Sequence, residues 1–385
     1  MTSYAKDLFR VTTKVNFLIQ IQIHQQRPAM TYRPDPGRFP FAALPFLLCF
    51  LLSACSPSPS DPGPTVRGFY HWQGGNFTLS NQEQRYLDSM GQGPLFLRLF
   101  DIDYDASKDM AVPLSTITIA DSFWRKPHPG IIPTLFITNR SFQQIPRTAL
   151  EPLAQKTLDR VRQVLGQQGF SELQIDCDWT ATTREAYFYY LQHLRRRLAD
   201  SVTLSATIRL HQVADPGTTG VPPVDRGTLM AYNSGNIAAW TEKHSILNLE
   251  ASQRYLQRAA AQTYPLPLDL AVPLFHWGLV YRLGKLWRII NGLDAEALQD
   301  SAYFHRIAPQ RYEVRQSTYL ESYYLYQQDL IRLEQVAPAR LAALLELLRA
   351  QRQPDQRLLF YHLDSSILQR WPYERLDSLL THHNY

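Results

Sequence analysis

Eight short apolar runs, each closing on a polar cluster, recur from Val66 to the end of the 385-residue chain. They constrain the fold more than any other feature. The runs are VRGFYHW from Val66, PLFLRLFDID from Pro94, IIPTLFITN from Ile131 and ELQIDCDW from Glu172. They continue with VTLSATIRLH from Val202, GTLMAYNSG from Gly227, LDLAVPLFHWG from Leu268 and RLLFYHLDSS from Arg357. Most are continuous rather than alternating, the pattern of parallel strands covered on both faces. Helical patterns separate several of them. Over Thr182 to Ala199, Thr182 and Glu185 form a capping box, and Tyr187, Tyr190, Leu191, Leu194 and Leu198 make an apolar stripe. Pro152 to Leu165 is a second helix. Eight strands alternating with helices predict an α/β chain folded as a (β/α)8 TIM barrel, usually about 250 residues long with insertions beyond that. An open doubly wound sheet is the alternative, but no Gly-rich phosphate turn follows the first strand. The extra length falls between strands 7 and 8. Arg311 to Val336 is rich in Tyr and in alternation, which predicts a small β-rich insertion over about 303–338, before a helix at Ala339 to Ala350.

The barrel domain is expected to span 66–385. The segment before it reads as a leader. From Met30, Arg33 and Arg38 form a positive n-region and Phe39 to Leu52 an apolar h-region, too short for a spanning helix. Leu52-Ser53-Ala54-Cys55 resembles the lipobox of bacterial lipoproteins, which implies a signal peptide over 30–54 and a lipid on Cys55. A Pro/Ser-rich tether completes 55–65. Residues 1–29 have no targeting character, so translation is expected to start at Met30. Residues 1–54 hold six basic and two acidic side chains, so the net charge of +5 falls to +1 without them. No electrostatic case for nucleic acid remains. Ser56 after the Cys, rather than an inner-membrane retention Asp, points by analogy to an outer membrane. With Cys49 lost and Cys55 lipidated, Cys177 has no intramolecular disulfide partner.

In a barrel of this type, functional residues stand at the carboxyl ends of the strands. Those ends offer His71 and Trp72, then Asp101 and Asp103, then Asn139, then Asp176, Asp178 and Trp179. The later ones offer His211, then Tyr232 and Asn233, then His276 and Trp277, then His362 and Asp364. Aromatic faces with hydrogen-bonding groups between them suit sugars, which have apolar ring faces and hydroxyl rims. In LQIDCDWT, alternation puts Gln174, Asp176 and Asp178 on one face and Leu173, Ile175 and Cys177 on the other. If the second set faces the helices, the two acids point into the barrel mouth, roughly 7 Å apart at Cα. There, burial and mutual repulsion suit one of them to general-acid work. The alternative is that they cap the next helix or pair with Arg98 or Arg209. Trp72 and Trp277 read equally as ligand-lining or core residues.

FSELQIDCDW resembles the fourth-strand D-x-D-x-E signature of glycoside hydrolase family 18, a chitinase-like barrel, and MAYN from Met230 is similar to its sixth-strand M-x-Y-D/N. The resemblance implies Asp178 as the acid, Asp176 as the carboxylate orienting a nucleophilic acetamido group, and Tyr232 as the partner of that group. The chain departs from the pattern at four places. Gln174 replaces the first Asp, Asp178 replaces a Glu one methylene longer, the third strand reads TLFITN without the family's glycines, and the final strand reads FYHLDS without the family's Trp. RLFDID, LQIDCDW and LMAYNSG also resemble bacterial lipoproteins of domain-of-unknown-function family 3142, from which no activity can be inherited.

Asp101, Asp103 and Asp105 resemble the start of a calcium loop. Ala106 stands where that loop needs Gly, however, and Val112 where it needs Glu, so no metal is expected. HExxH, P-loop and G-x-S-x-G motifs are absent from the sequence, and no cofactor is expected. Three readings follow. The first is an envelope-anchored glycoside hydrolase-like enzyme acting on an amino-sugar glycan. The second is a non-catalytic carbohydrate-binding or envelope-assembly protein. The third is a structural lipoprotein whose Tyr-rich insertion docks a protein. The expected partners are a glycan or oligosaccharide and, through the lipid, a membrane.

Overall fold

A computed structural model describes residues 65–385. The upstream segment 1–29, the expected signal peptide 30–54, Cys55 and nearly all of the expected tether lie outside the described residues. Each of the eight apolar runs forms a parallel strand: β1 (Val66–His71), β2 (Leu95–Asp105), β3 (Ile131–Ile137), β4 (Glu172–Asp176), β5 (Thr203–Arg209), β6 (Arg226–Met230), β7 (Leu268–Pro273) and β8 (Arg357–Tyr361). They pair in chain order, and β1 pairs with both β2 and β8, which closes the cylinder. The (β/α)8 barrel expected from the sequence is therefore the fold.

Helices cover the outside where the sequence caps them. Ser80 and Glu83 form a capping box at the head of α1 (Asn81–Ser89). The helix after β3, α2 (Arg147–Leu165), begins five residues before the expected start at Pro152, which lies inside it as the sixth residue. The helix after β4, α3 (Arg184–Arg195), lacks the expected Thr182–Glu185 box. Instead the Thr183 hydroxyl accepts from the Thr180 backbone N–H at 2.9 Å, and the helix has no side-chain cap.

The cylinder is filled with polar groups in layers. At the amino-terminal end Arg357 reaches both oxygens of Glu172, at 2.7 and 3.0 Å, and also Asp269 at 2.8 Å. Arg226 donates to the same Asp269 at 2.8 Å. Burial opposes the Arg357 charge, but hydrogen bonds and charge from Glu172 and Asp269 outweigh it and raise its pKa above the ordinary. One layer higher, Gln174 accepts from the Tyr70 hydroxyl at 2.7 Å and donates to Thr228 at 3.0 Å. An amide can do both, whereas an ionised carboxylate could only accept.

The insertion is larger than expected and starts earlier. It opens at His276, not near residue 303, and runs to Gln335. It is a five-stranded antiparallel sheet, with the hairpin Thr318–Leu320/Tyr323–Leu325 beyond it. The single run LDLAVPLFHWG is two strands: β7 ends at Pro273, and His276–Arg282 opens the new sheet. A two-residue turn at Leu283-Gly284, both at positive φ, returns the chain into Lys285–Asn291. Glu334 on this sheet accepts from the backbone N–H groups of Ser245 and Ile246, at 2.7 and 3.0 Å. Those bonds pin the loop after β6 against the insertion.

Candidate functional site

A cavity of about 710 Å³ lies at the carboxyl ends of the strands, walled on one side by the inserted sheet. Asp176 and Asp178 both line it, with the motif residues Tyr232 and Asn233. Trp72 and Asp101 come from the ends of β1 and β2, and His362 and Asp364 from the end of β8. His276 and Trp277 also line it, but from the first strand of the insertion rather than from the end of β7.

Five expected residues are not part of this lining. His71 is buried against the Phe77 ring, 4.8 Å away. Asp103 sits where β2 leaves the barrel, and accepts from Thr138 at 2.6 Å and Arg140 at 2.5 Å. Asn139 accepts from the Thr183 hydroxyl at 2.5 Å. Trp179 is buried beside Tyr187 and donates to the Thr219 carbonyl at 2.9 Å. Its side follows from alternation, because it shares the outward face of Cys177. His211 is the second residue of the short helix Leu210–Ala214. Burial, then the Arg209 charge, lowers its pKa to about 4.

The floor of the cavity is aromatic. The Tyr232 and Tyr361 rings stack at 5.4 Å with 28° between planes. Trp72 and Phe275 flank Tyr361 at 5.7 and 5.6 Å. Sequence reasoning missed Tyr361, although its signal was present. It shares strand parity with Arg357, which points into the barrel. Burial, then the Asp176 charge, pushes the Tyr361 phenol up, and burial does the same to Tyr232, so both remain neutral donors near pH 7.

Polar pairs stand around this floor. Arg209 grips Asp178 through both oxygens, at 2.5 and 3.0 Å. Burial opposes the Arg209 charge, but the charge and hydrogen bonds of Asp178 raise its pKa above the ordinary. Arg98 holds Asp101 in a second fork, 2.7 Å through Nε, and reaches the Trp72 carbonyl at 3.3 Å. Asp176 accepts from Thr207 at 2.7 Å. Asp364 caps the helix Ser365–Arg370 through Ser366 N–H at 2.8 Å and accepts from Gln73. Among the described residues no cluster of three or more His, Cys, Asp or Glu could hold a metal ion.

Fold and cleft together define a (β/α)8-barrel protein with a polar, aromatic-floored mouth. Among solved structures, the chain is similar to the spore cortex-lytic enzyme SleL of Bacillus cereus, with 15% identity over 84% of this chain and 75% of that one, at TM-score 0.47. It is also similar to a chitinase of Chromobacterium violaceum, with 12% identity over 82% and 99% at TM-score 0.49. A chitinase of Bacteroides thetaiotaomicron gives 10% identity over 83% and 96%, also at TM-score 0.49. These are likenesses of fold alone. No family model matches the chain, and no curated protein does. The likeness to family 3142 therefore rests on the quoted segments.

Proposed function

We propose that the barrel mouth is a carbohydrate-binding cleft, carried by a lipoprotein that Cys55 and its tether hold at a bacterial envelope, in the outer membrane. The observation that carries the binding reading is the Tyr232–Tyr361 stack set between the Asp178–Arg209 and Asp101–Arg98 forks. Ring faces of a sugar pack on the former, and its hydroxyls meet fixed donors and acceptors in the latter. The Asp178 fork favours binding without turnover. Both carboxylate oxygens accept from Arg209, so in this geometry neither carries the proton that a general acid must give. Hydrolysis by substrate-assisted acid catalysis is the second reading. It draws support from Asp176, Asp178 and Tyr232 lining one cavity at the positions that the family 18 resemblance assigns to chemistry.

A glycan array read alongside a fluorogenic N-acetylglucosaminide assay separates the two. The binding reading expects glycan retention with no turnover, and retention lost on truncating Tyr361. Turnover abolished in Asp178→Asn with binding kept would replace it with the hydrolase reading.

A further inference from the structure

The cleft carries a charge imbalance that the carbohydrate reading leaves unused. Four aspartates line it (Asp101, Asp176, Asp178 and Asp364) against two arginines, Arg98 and Arg209. Counted with every carboxyl group ionised, the lining carries two more negative than positive charges, or one more with His362 protonated. The other histidines do not offset it. Burial, then the Arg370 charge, lowers the His276 pKa below its ordinary value. His71 is held at about 4 by burial, then by the His362 charge. Charged groups packed behind the walls are already matched: Asp103 with Arg140, Asp294 with Arg370, and Glu334 with Arg332. A walled cleft concentrates such a field on whatever enters it.

A second feature is independent of charge. Trp277 lines the cleft, is 3% exposed, and its indole N–H has no hydrogen-bond partner among the described residues. That donor has almost no accessible surface, so it is the ring of Trp277, not its N–H, that borders the cleft. A ligand with ring faces for Tyr361 and Trp277 and positive charge for the aspartates fits this lining.

We infer that the cleft selects a cationic amino-sugar glycan, one whose 2-amino groups are free and protonated rather than acetylated. The inference rests on the carbohydrate reading and narrows its ligand class. The test is calorimetric titration of the whole chain with a glucosamine pentamer and with an N-acetylglucosamine pentamer, at about pH 6 where the amines are charged. The glucosamine pentamer is expected to bind about tenfold more tightly at low salt, and the preference to shrink several-fold near 0.3 M salt as screening rises. Asp364→Asn removes one of the excess charges while keeping a side chain that caps the helix equally well. It is expected to weaken the glucosamine pentamer about threefold more than the acetylated one. Tighter binding of the acetylated pentamer, or a preference unmoved by salt and by Asp364→Asn, overturns the inference and leaves the carbohydrate reading standing. Binding of neither pentamer overturns both.

Discussion

Replacing Asp178 by Asn strands Arg209. The two side chains are 5% and 14% exposed and meet at 2.5 and 3.0 Å, so the substitution deletes a bidentate partner and leaves a guanidinium with little water around it. Breaking a buried pair from one side costs about 3–5 kcal/mol. The pair borders an open cavity and the Asp176 charge also acts on Arg209, so the cost here is reduced to about 2–3 kcal/mol. Arg209→Met strands Asp178 instead and costs a similar amount. The double variant leaves no stranded charge, so its cost falls short of the sum by about 1–2 kcal/mol. Urea unfolding followed by tryptophan fluorescence measures all three differences, provided the slope of the transition is unchanged. A cost below about 0.5 kcal/mol for Asp178→Asn, with additive singles, would show that the fork contributes nothing measurable. It would also remove the argument that Asp178 is committed to Arg209 rather than to proton transfer.

Other parts of the molecule are open to similar measurement. His71, 5% exposed, is lowered to about 4 by burial, then by the His362 charge. Its folded pKa lies below the unfolded value of about 6.5, so the unfolded chain binds more protons between those pH values. Stability is therefore full above about pH 6.5 and falls as the pH drops toward 4, by at most about 3 kcal/mol from this residue. His71→Leu should flatten that part of the pH dependence of the unfolding midpoint, and an unchanged slope would refute the assignment. A Cβ on Gly93 would meet the Arg67 carbonyl oxygen at 1.7 Å, and the neighbouring atoms are all backbone of Arg67 and Gly68, so Gly93→Ala should cost more than about 3 kcal/mol or abolish soluble expression. Wild-type stability in that variant would refute the close approach of β1 to the segment entering β2. Tyr361→Ala should weaken glycan binding about tenfold while Tyr361→Phe keeps most of it, because the ring face rather than the hydroxyl carries the contact. The reverse order in titrations of the two variants would sink that assignment.

The strands were legible because a barrel strand is buried on both faces and so reads as an unbroken apolar run. Most were visible for that reason. The same property hid the insertion. The segment from Leu268 to Arg282 is buried almost throughout, so nothing in its polarity marks the break at Leu274 and Phe275 where one sheet gives way to another. The usable signal was Arg282-Leu283-Gly284-Lys285, a two-residue hairpin turn between aromatic-rich strands. At the site, alternation correctly put Asp176 and Asp178 together in the mouth, and the same rule places Trp179 on the opposite side. Asp103 and Asn139 were illegible in a different way. Each stands at a strand end, and only the neighbouring chain, with Arg140 and Thr183, decides that it is used for structure.

Gln174 links the interior to the mouth. The layer beneath it already balances Glu172 and Asp269 against Arg357 and Arg226. A carboxylate at 174 would add an unmatched charge between that layer and Asp176, in a place where Tyr70 and Thr228 offer only neutral groups. The amide closes the middle of the barrel without charge. The acids above it then take their partners from the rim: Arg209 for Asp178, Thr207 for Asp176, and Arg98 for Asp101. In this arrangement the carboxylates of the mouth are fixed by neighbours at their own level rather than coupled to a chain of acids below. Fixed acceptors over an aromatic floor hold a ligand in one orientation, and that geometry serves recognition whether or not a bond is cut.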